Sequence, residues 1–309
     1  MTAGLSSSPT VERVLQLQRT AGNAAVRRWL AREVVSDIQV PSAVNHTMNG
    51  VLQDDHALRH ERHRGVPFLR GAGEDASGVD ASDVRQGFIG DCFFLSPLMA
   101  TARINPARVW RMVRGPIGES PSGGDAYEVK LYNAAGELVT YHVDDRFVST
   151  ADGAPRYAQY GDTSATHGPE LWVMLMEKAW AAQRGGFNNT DFGMVGDGLK
   201  AVTGMSSTWH SCWTESTEQI LETIWQAVQA GKPVIPQTPR TPTGPALAWA
   251  TANGVTLVNA HAYNVESANR SDREIDVANS HGRNHLRSLS AANFRMIFDG
   301  YMVLDQSVA

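Results

Sequence analysis

Cysteine is scarce in this sequence, with two residues, Cys92 and Cys212, among 309. A pair of cysteines excludes the disulfide framework on which small secreted domains depend. A bridge between these two would also leave neither thiol free for chemistry. The scarcity therefore predicts a protein that works in a reducing compartment and keeps any reactive thiol free.

The sequence also lacks an excess of basic charge and any long apolar run. Its net charge of -5 and isoelectric point near 6.1 argue against a nucleic-acid partner, because such proteins carry basic patches. The most apolar segment, ALAWATANGVTLV, is too short and too interrupted to span a bilayer. The first residues lack the basic and apolar regions of a secretory signal. We therefore expect no membrane span, and any export to occur without a cleaved signal peptide.

Residues 1–33 differ from the rest in charge, since they contain five arginines and two glutamates. Apolar residues recur there at helical spacing, with Thr10 at an N-cap position and a break at Gly22-Asn23. The pattern predicts two short basic amphipathic helices. They serve either as a cap on the main domain or as a targeting or loading segment.

Residues 34–65 are polar and predict a linker or an irregular segment. From 66 to 306 the pattern is that of a packed α+β domain. Residues 127–148 predict antiparallel strands joined by a turn at 133–136. Helices are predicted in PELWVMLMEKAWAAQRGG, in TEQILETIWQAVQAGKPV and in SLSAANFRMIFDG.

Cys92 stands at the start of a predicted helix, directly after Gly90-Asp91. Asp91 is a strong N-cap candidate, which places Cys92 in the first turn, where unpaired N–H groups and the helix dipole favour a thiolate. Gln86 lies six residues earlier and can point its amide N–H₂ at the place that the Cys92 N–H faces. Two such donors form an oxyanion hole for acyl transfer. The pattern predicts a nucleophilic thiol whose pKa is lowered by the helix start.

A base for this thiol is predicted on a hairpin whose first strand covers about 261 to 268 and whose turn is centred near residue 270. Antiparallel pairing about that turn sets His261 opposite Asn279 or Ser280, with roughly 5 Å between Cβ atoms. An asparagine oxygen at that distance accepts a hydrogen bond from the imidazole and fixes its tautomer. Alone, each residue is more often structural, but the chain order Gln, Cys, His, Asn predicts one catalytic group.

Several stretches match the motifs of one enzyme family in order. DVRQGFIGDCFFLSPLMA matches a catalytic-cysteine motif that runs Asp-Ile-x-Gln-Gly-x-x-Gly-Asp-Cys-Trp-Phe-Leu, and NAHAYNV matches a Gly-His-Ala-Tyr-x-Val strand. Further matches are VDDRF, ELWVMLMEKAWAAQRGGF, DGLKAVTGM and NFRMIFDG. Together these stretches, from about residue 66 to 304, resemble the calpain family of cysteine proteases.

The resemblance implies an α+β fold with a papain-like cysteine protease core of two subdomains, preceded by a short helical N-terminal extension. A mainly helical lobe, residues 66–205, would carry the cysteine, and a β-rich lobe, residues 206–306, would carry the histidine and asparagine. The roles it implies are nucleophile, general base, orienter and oxyanion donor for Cys92, His261, Asn279 and Gln86, in that order.

Two departures from the family pattern bear on the site. The family continues Asn-Pro-Trp-Gly after the orienter, and the tryptophan shields the His–Asn pair, whereas this sequence has Asn279-Ser280-His281-Gly282. We expect His281 either to shield the pair in part or to hydrate it and change the pH dependence. Pro97 stands where the family helix has a small helix former, and a local kink is expected because proline lacks a backbone donor.

Calcium is the cofactor that the resemblance raises, although the chemistry itself is expected to need none. Carboxylates near the expected loops are Asp75, Asp80, Asp144 and Asp145. Acidic loops are more often simply solvated. The sequence therefore names no metal ligand and leaves a calcium requirement open.

The stretch VLQLQRTAGNAAVRRWL resembles the Leu-Gln-Arg-x-x-Gly-Asn-x-Ala-Val element of bacterial proteins associated with extracellular contractile injection systems. This resemblance implies an effector or toxin made in the bacterial cytoplasm. Such an effector would be loaded into the injection system through residues 1–33 and would act in the reducing cytosol of a target cell.

The leading hypothesis is a calpain-like cysteine endopeptidase that cleaves polypeptides through a thioester acyl-enzyme. One alternative is a Cys–His acyltransferase of the transglutaminase type, which Asn279 disfavours because those enzymes use an aspartate as orienter. The other is a catalytically silent binding module on the same fold, a hypothesis motivated by Pro97 and His281.

Overall fold

The computed structural model describes the backbone of residues 46–48 and 51–53 and the whole of residues 59–71 and 77–309. The predicted basic segment, residues 1–33, therefore lies outside the described residues, and so does Asp75. None of the helices in the described part of the chain combines the length and the apolar character needed to cross a bilayer.

Helices and small antiparallel sheets alternate along the described chain. The helices are α1 Cys92–Ile104, α2 Pro106–Trp110, α3 Trp172–Arg184, α4 Val195–Thr203, α5 Thr217–Gln229, α6 Gly244–Ala252 and α7 Ala291–Ile297. The strands are β1 His46–Met48, β2 Val51–Gln53, β3 Arg59–Arg62, β4 Val113–Arg114, β5 Ala126–Tyr132, β6 Leu138–Asp144, β7 Arg146–Ser149, β8 Thr163–Ser164, β9 Gly168–Pro169, β10 Ser207–Ser211, β11 Val234–Gln237, β12 Tyr263–Asn269, β13 Glu274–Asn279, β14 Leu286–Ser290 and β15 Gly300–Leu304. They pair as β1-β2, β3-β7, β4-β5-β6, β8-β9, β10-β15-β11 and β12-β13-β14.

Part of the segment predicted as a linker is regular structure. Residues Arg59–Arg62 form β3, which pairs with β7. The polar composition concealed this strand because its side chains are only partly buried. The expectation of an irregular chain was wrong for these residues.

The central helix is α1. Every residue from 92 to 102 is buried, as expected for a helix that is apolar on all sides. The helix continues through Pro97, whose missing N–H would have paired with the carbonyl of Phe93. Gly198 of α4 packs against that carbonyl so closely that a Cβ would lie 2.0 Å from its oxygen. Glycine at this position therefore allows α4 to reach α1 beside the proline.

Helix α3 covers the same core from another side and confirms the predicted helix at this point of the chain. It ends at Gly185, whose φ of 81° is the left-handed conformation that suits glycine at a helix end. The rings of Trp180 and Phe94 stack with centroids 4.9 Å apart, which ties α3 to α1.

Apolar side chains form two main clusters. The first surrounds α1, α3 and α4, and the second lies among α5, α7 and the sheet β12-β13-β14. Strand β15 contributes to both, because alternate residues on a strand point to opposite faces. Met302 and Leu304 join the first cluster, while Tyr301 and Val303 join the second. The two clusters are thus joined through a shared strand.

The hairpin near the C-terminal end differs in register from the prediction. Tyr263, not His261, pairs with Asn279, and a bulge shifts the register between Val265 and Ser267. The turn also lies later than expected, because Asn269 pairs with Glu274. His261 therefore precedes β12, and the predicted strand pairing of His261 with Asn279 was wrong.

A buried ion pair joins α3 to the end of β6. The ammonium of Lys178 lies 2.5 Å from the carboxylate of Asp144, and the two side chains are 2% and 0% exposed. Lys178 also donates to the carbonyl of Arg146 at 2.6 Å. Burial alone would raise the pKa of Asp144, but the Lys178 charge and the hydroxyl of Ser122 hold it below the usual value. The pair is therefore charged and depends on both members.

Replacement of Lys178 by methionine should destabilise the fold, because it leaves the Asp144 carboxylate buried without a cation. We expect the free energy of unfolding, measured by urea denaturation at pH 7, to fall by about 3–5 kcal/mol. The matched control is Arg114→Met, which removes an ion pair whose arginine is 77% exposed. That change should cost less than about 1 kcal/mol. Similar losses of unfolding free energy in the two variants would contradict the conclusion that Lys178 and Asp144 form a charged, buried pair.

Candidate active site

Cys92 and His261, far apart in sequence, line one small cleft. The residue after the histidine is held against α1 at both of its backbone groups. The N–H of Ala262 donates to Cys92 Sγ at 3.4 Å, and its carbonyl accepts from the hydroxyl of Ser96 at 2.8 Å. Helix α1 thus presents the thiol and anchors the segment that carries the imidazole.

The backbone of His261 is fixed by a residue that sequence reasoning missed. The His261 N–H donates to Thr238 Oγ1, and the Thr238 N–H donates to the His261 carbonyl, both at 3.0 Å. Thr238 directly follows β11 and carries no motif that marks it in the sequence. Its role is visible only once the two segments are side by side.

The imidazole of His261 contacts Asn279 as predicted, although the two residues are not a strand pair. His261 Nε2 lies 2.9 Å from Asn279 Oδ1, and the backbone N–H of His281 donates to the same oxygen at 3.0 Å. A backbone N–H only donates, so the atom it faces is the carboxamide oxygen. His261 therefore carries its proton on Nε2 and leaves Nδ1 as the acceptor.

His281 covers the His261–Asn279 pair. Its ring stacks on that of His261 at 5° with centroids 4.6 Å apart, and Tyr263 meets the His261 ring edge-on at 4.9 Å. The Nε2 atom of His281 is buried and has no hydrogen-bond partner among the described residues. His281 thus occupies the place of a shielding ring.

Burial shifts the pKa values of Cys92 and His261 towards their uncharged forms. Burial raises the pKa of the Cys92 thiol to about 12, against the opposing effect of the Ala262 N–H. Burial also lowers the pKa of His261 to about 3, and His281 adds to this while the hydrogen bond to Asn279 opposes it. The predicted lowering of the thiol pKa by the helix start was therefore wrong, because loss of solvent outweighs the helix dipole here.

Asp91 is the N-cap residue of α1 and Cys92 is its first residue, as predicted, but the Asp91 side chain makes no cap bond. The carboxyls of Asp91 and of Glu177 on α3 are both buried. Burial and then the Glu177 charge raise the pKa of Asp91 well above its usual value, and burial raises that of Glu177 to about 7. Both carboxyls are therefore shifted towards the uncharged form, which reduces the negative charge next to the thiol.

Gln86 is buried and is not among the residues that line the cleft. Its Nε2 donates to the carbonyl of Ile89 at 2.7 Å, and its Oε1 accepts from the hydroxyl of Ser280 at 2.9 Å. The Gln86 N–H also donates to the Ser280 carbonyl at 2.7 Å. These bonds fix the amide plane and use one of the two hydrogens of its N–H₂ group.

Comparison with known proteins identifies the family of this chain. The family model described as calpain family cysteine protease matches residues 73–286. The chain belongs to the calpain family of cysteine proteases. Calpain-type cysteine protease ADL1 of Oryza sativa subsp. japonica is 35% identical over 129 residues, which are 42% of this chain and 6% of that protein.

Animal calpains match over a somewhat longer stretch. Calpain-1 catalytic subunit of Sus scrofa is 28% identical over 156 residues, and calpain clp-4 of Caenorhabditis elegans is 27% identical over 154 residues. Each match covers 50% of this chain and 20% of the relative. The chain therefore spans a fifth or less of the length of these calpain relatives.

Within the calpain motif order, the residue after the orienter is a serine, Ser280, which sequence reasoning left without a role. The signal for it was present, since Ser280 replaces the proline of the family pattern. A proline has no hydroxyl to donate, so the bond from Ser280 to Gln86 depends on this departure.

Three of the carboxylates considered for calcium are described by the structure, and each has a partner within the protein. Asp144 pairs with Lys178 and Asp145 with Arg62, so both charges are already neutralised. The Asp80 side chain accepts from the Ser82 N–H in a short helical turn. Across residues 59–71 and 77–309, no group of three or more histidine, cysteine, aspartate or glutamate side chains is arranged to hold a metal ion.

The high pKa of Cys92 predicts slow alkylation at neutral pH in the absence of substrate. In a Cys212→Ser variant, which removes the other thiol, the rate of Cys92 alkylation by iodoacetamide should rise about tenfold per pH unit from 7 to 10, because only the thiolate reacts. Mass spectrometry of timed samples measures the rate, and a Cys92→Ala, Cys212→Ser protein gives the baseline. A rate that is already constant below pH 7 would indicate a stable thiolate and contradict the prediction.

Proposed function

We propose that this calpain-family chain is a cysteine endopeptidase with Cys92 as nucleophile, His261 as general base, Asn279 as orienter and Gln86 as oxyanion donor. The observation that carries the proposal is the approach of the His261 segment to the thiol. The Ala262 N–H contacts Cys92 Sγ while the His261 ring is held by Asn279. The nucleophile, the base and the orienter of an acyl-transfer site are thus close together.

In the proposed reaction, Nδ1 of His261 takes the thiol proton as Cys92 Sγ attacks the carbonyl carbon of the peptide bond. The Gln86 amide and the Cys92 N–H stabilise the resulting oxyanion. Collapse breaks the C–N bond, and the imidazolium gives its proton to the leaving amine. A water molecule, deprotonated by His261, then attacks the thioester and releases the acid and the thiol.

The neutral forms of Cys92 and His261 that burial favours affect the first step of the proposed reaction. Because burial disfavours both thiolate and imidazolium, proton transfer is expected to accompany attack instead of preceding substrate binding. The raised pKa of Asp91 helps, since a charged carboxylate directly before Cys92 would oppose the thiolate. The chemistry itself requires no cofactor.

Cys92→Ala should reduce cleavage of an unfolded protein such as casein by on the order of 10⁴-fold or more, because no other group replaces the nucleophile. Product peptides are identified by mass spectrometry, with calcium and with a chelator in parallel. The control Cys212→Ala should retain activity, since Cys212 is buried in the second apolar cluster.

Each outcome of that assay separates the alternatives. Cleavage that survives in Cys92→Ala would contradict the mechanism. Incorporation of a labelled amine without cleavage would favour the acyltransferase, and neither activity in the wild-type chain would favour a silent binding module.

An exported effector is the narrower proposal, and what supports it is the injection-system-like element at residues 14–30. Deletion of residues 1–33 should remove the protein from particles of such a system while casein cleavage is retained. Immunoblotting of purified particles measures loading. Equal loading of the full chain and the truncated chain would contradict a carrier role for this segment.

A further inference from the structure

Phe192 lies at the mouth of the cleft in a backbone conformation that aromatic residues avoid. Its φ is 61°, in the left-handed region that favours glycine. Its side chain is 53% exposed, and it lines the cleft together with Cys92 and His261. Such strain persists where the surrounding structure holds it, and it is concentrated at functional sites.

The contacts around Phe192 fix its backbone in place. The Phe192 N–H donates to the Gly90 carbonyl at 2.9 Å, and Asp191 Oδ1 accepts from the Gly90 N–H at 2.9 Å. Gly193 packs so closely on Phe93 that a Cβ would lie 2.4 Å from its ring. The loop is therefore held on both sides of residue 192, and this fixes the point from which the ring projects.

The ring lies face-on over Gly90, two residues before the nucleophile. Its Cε1 and Cε2 atoms are both 3.6 Å from the position that a Cβ on Gly90 would take. Ala260, just before His261, also lines the cleft and is also left-handed, with a φ of 47°. The cleft has a volume of about 30 Å³, which holds about two water molecules.

The proposed reaction indicates which residue of the substrate lies next to Phe192. The leaving amine must lie towards His261, which protonates it. The residue that contributes the scissile carbonyl therefore lies on the side of the thiol away from His261, towards Gly90 and Phe192. A glycine or alanine fits there, and a larger side chain would meet the ring.

We propose that Phe192 is a size filter that restricts the residue contributing the scissile carbonyl to glycine, alanine or a similarly small side chain. This specificity rests on the proposed peptidase function, but it is a property of the cleft and is testable without hydrolysis.

The test uses peptidyl vinyl sulfones that differ only in the residue next to the electrophile, which is Gly, Ala, Leu or Phe. The full chain carries Cys212→Ser, so that mass spectrometry reports addition to Cys92, and Cys92→Ala gives the baseline. The variants are Phe192→Gly, which suits the left-handed backbone, and Phe192→Ala, which removes the ring but keeps a Cβ. Met194→Ala is the matched control, since Met194 is 67% exposed on the same loop but does not line the cleft.

The Cys212→Ser chain with Phe192 intact should react with the Gly and Ala probes about 10- to 200-fold faster than with the Leu and Phe probes. Phe192→Gly and Phe192→Ala should remove most of that difference, and Met194→Ala should preserve it. Thermal unfolding confirms that each variant is folded.

Equal rates for small and large probes in the unmodified cleft would overturn the filter, and so would discrimination that survives in both Phe192 variants. Failure of every probe to react would overturn it as well, because the filter requires that small residues enter. Selective labelling without hydrolysis of any peptide would retain the filter and contradict the peptidase function instead.

Discussion

The contact between helix α1 and the segment that leads into β12 is the constraint on which the site depends. Ser96 and the Cys92 sulfur hold the two backbone groups of Ala262, and the guanidinium of Arg103 donates to the carbonyls of Val265 and Glu266. These bonds join parts of the chain that lie 162 to 170 residues apart. They place the imidazole beside the thiol and connect the two apolar clusters at the same point.

Burial of this contact also determines which groups beside it are charged. A helix start ordinarily favours a thiolate, but a thiol enclosed by apolar groups loses more solvation than the dipole returns. The protein therefore favours the neutral forms of the Cys92 thiol and the His261 imidazole, and burial also raises the pKa values of the Asp91 and Glu177 carboxyls. Where it does bury full charges, as in Lys178 and Asp144, they are directly paired.

Two departures of this chain from the calpain pattern lie next to the predicted site residues. Ser280 donates to the Gln86 amide oxygen, and the His281 ring stacks on that of His261. Both residues directly follow Asn279, where the family pattern has proline and tryptophan. A proline could not make the Ser280 contact, because it has no hydroxyl.

The sequence by itself determined the α+β class and the main helices, because these follow from periodicity and glycine stops. Its motifs, by resemblance, indicated the family and named four candidate site residues. It also indicated that His261 meets Asn279, although by a wrong register, since a bulge and a shifted turn depend on packing that periodicity does not record. The fold alone decided the raised pKa of the Cys92 thiol, the missing cap bond of the Asp91 side chain and the positions of Thr238 and Phe192. Burial and close approach arise between segments distant in sequence, so no local pattern reports them.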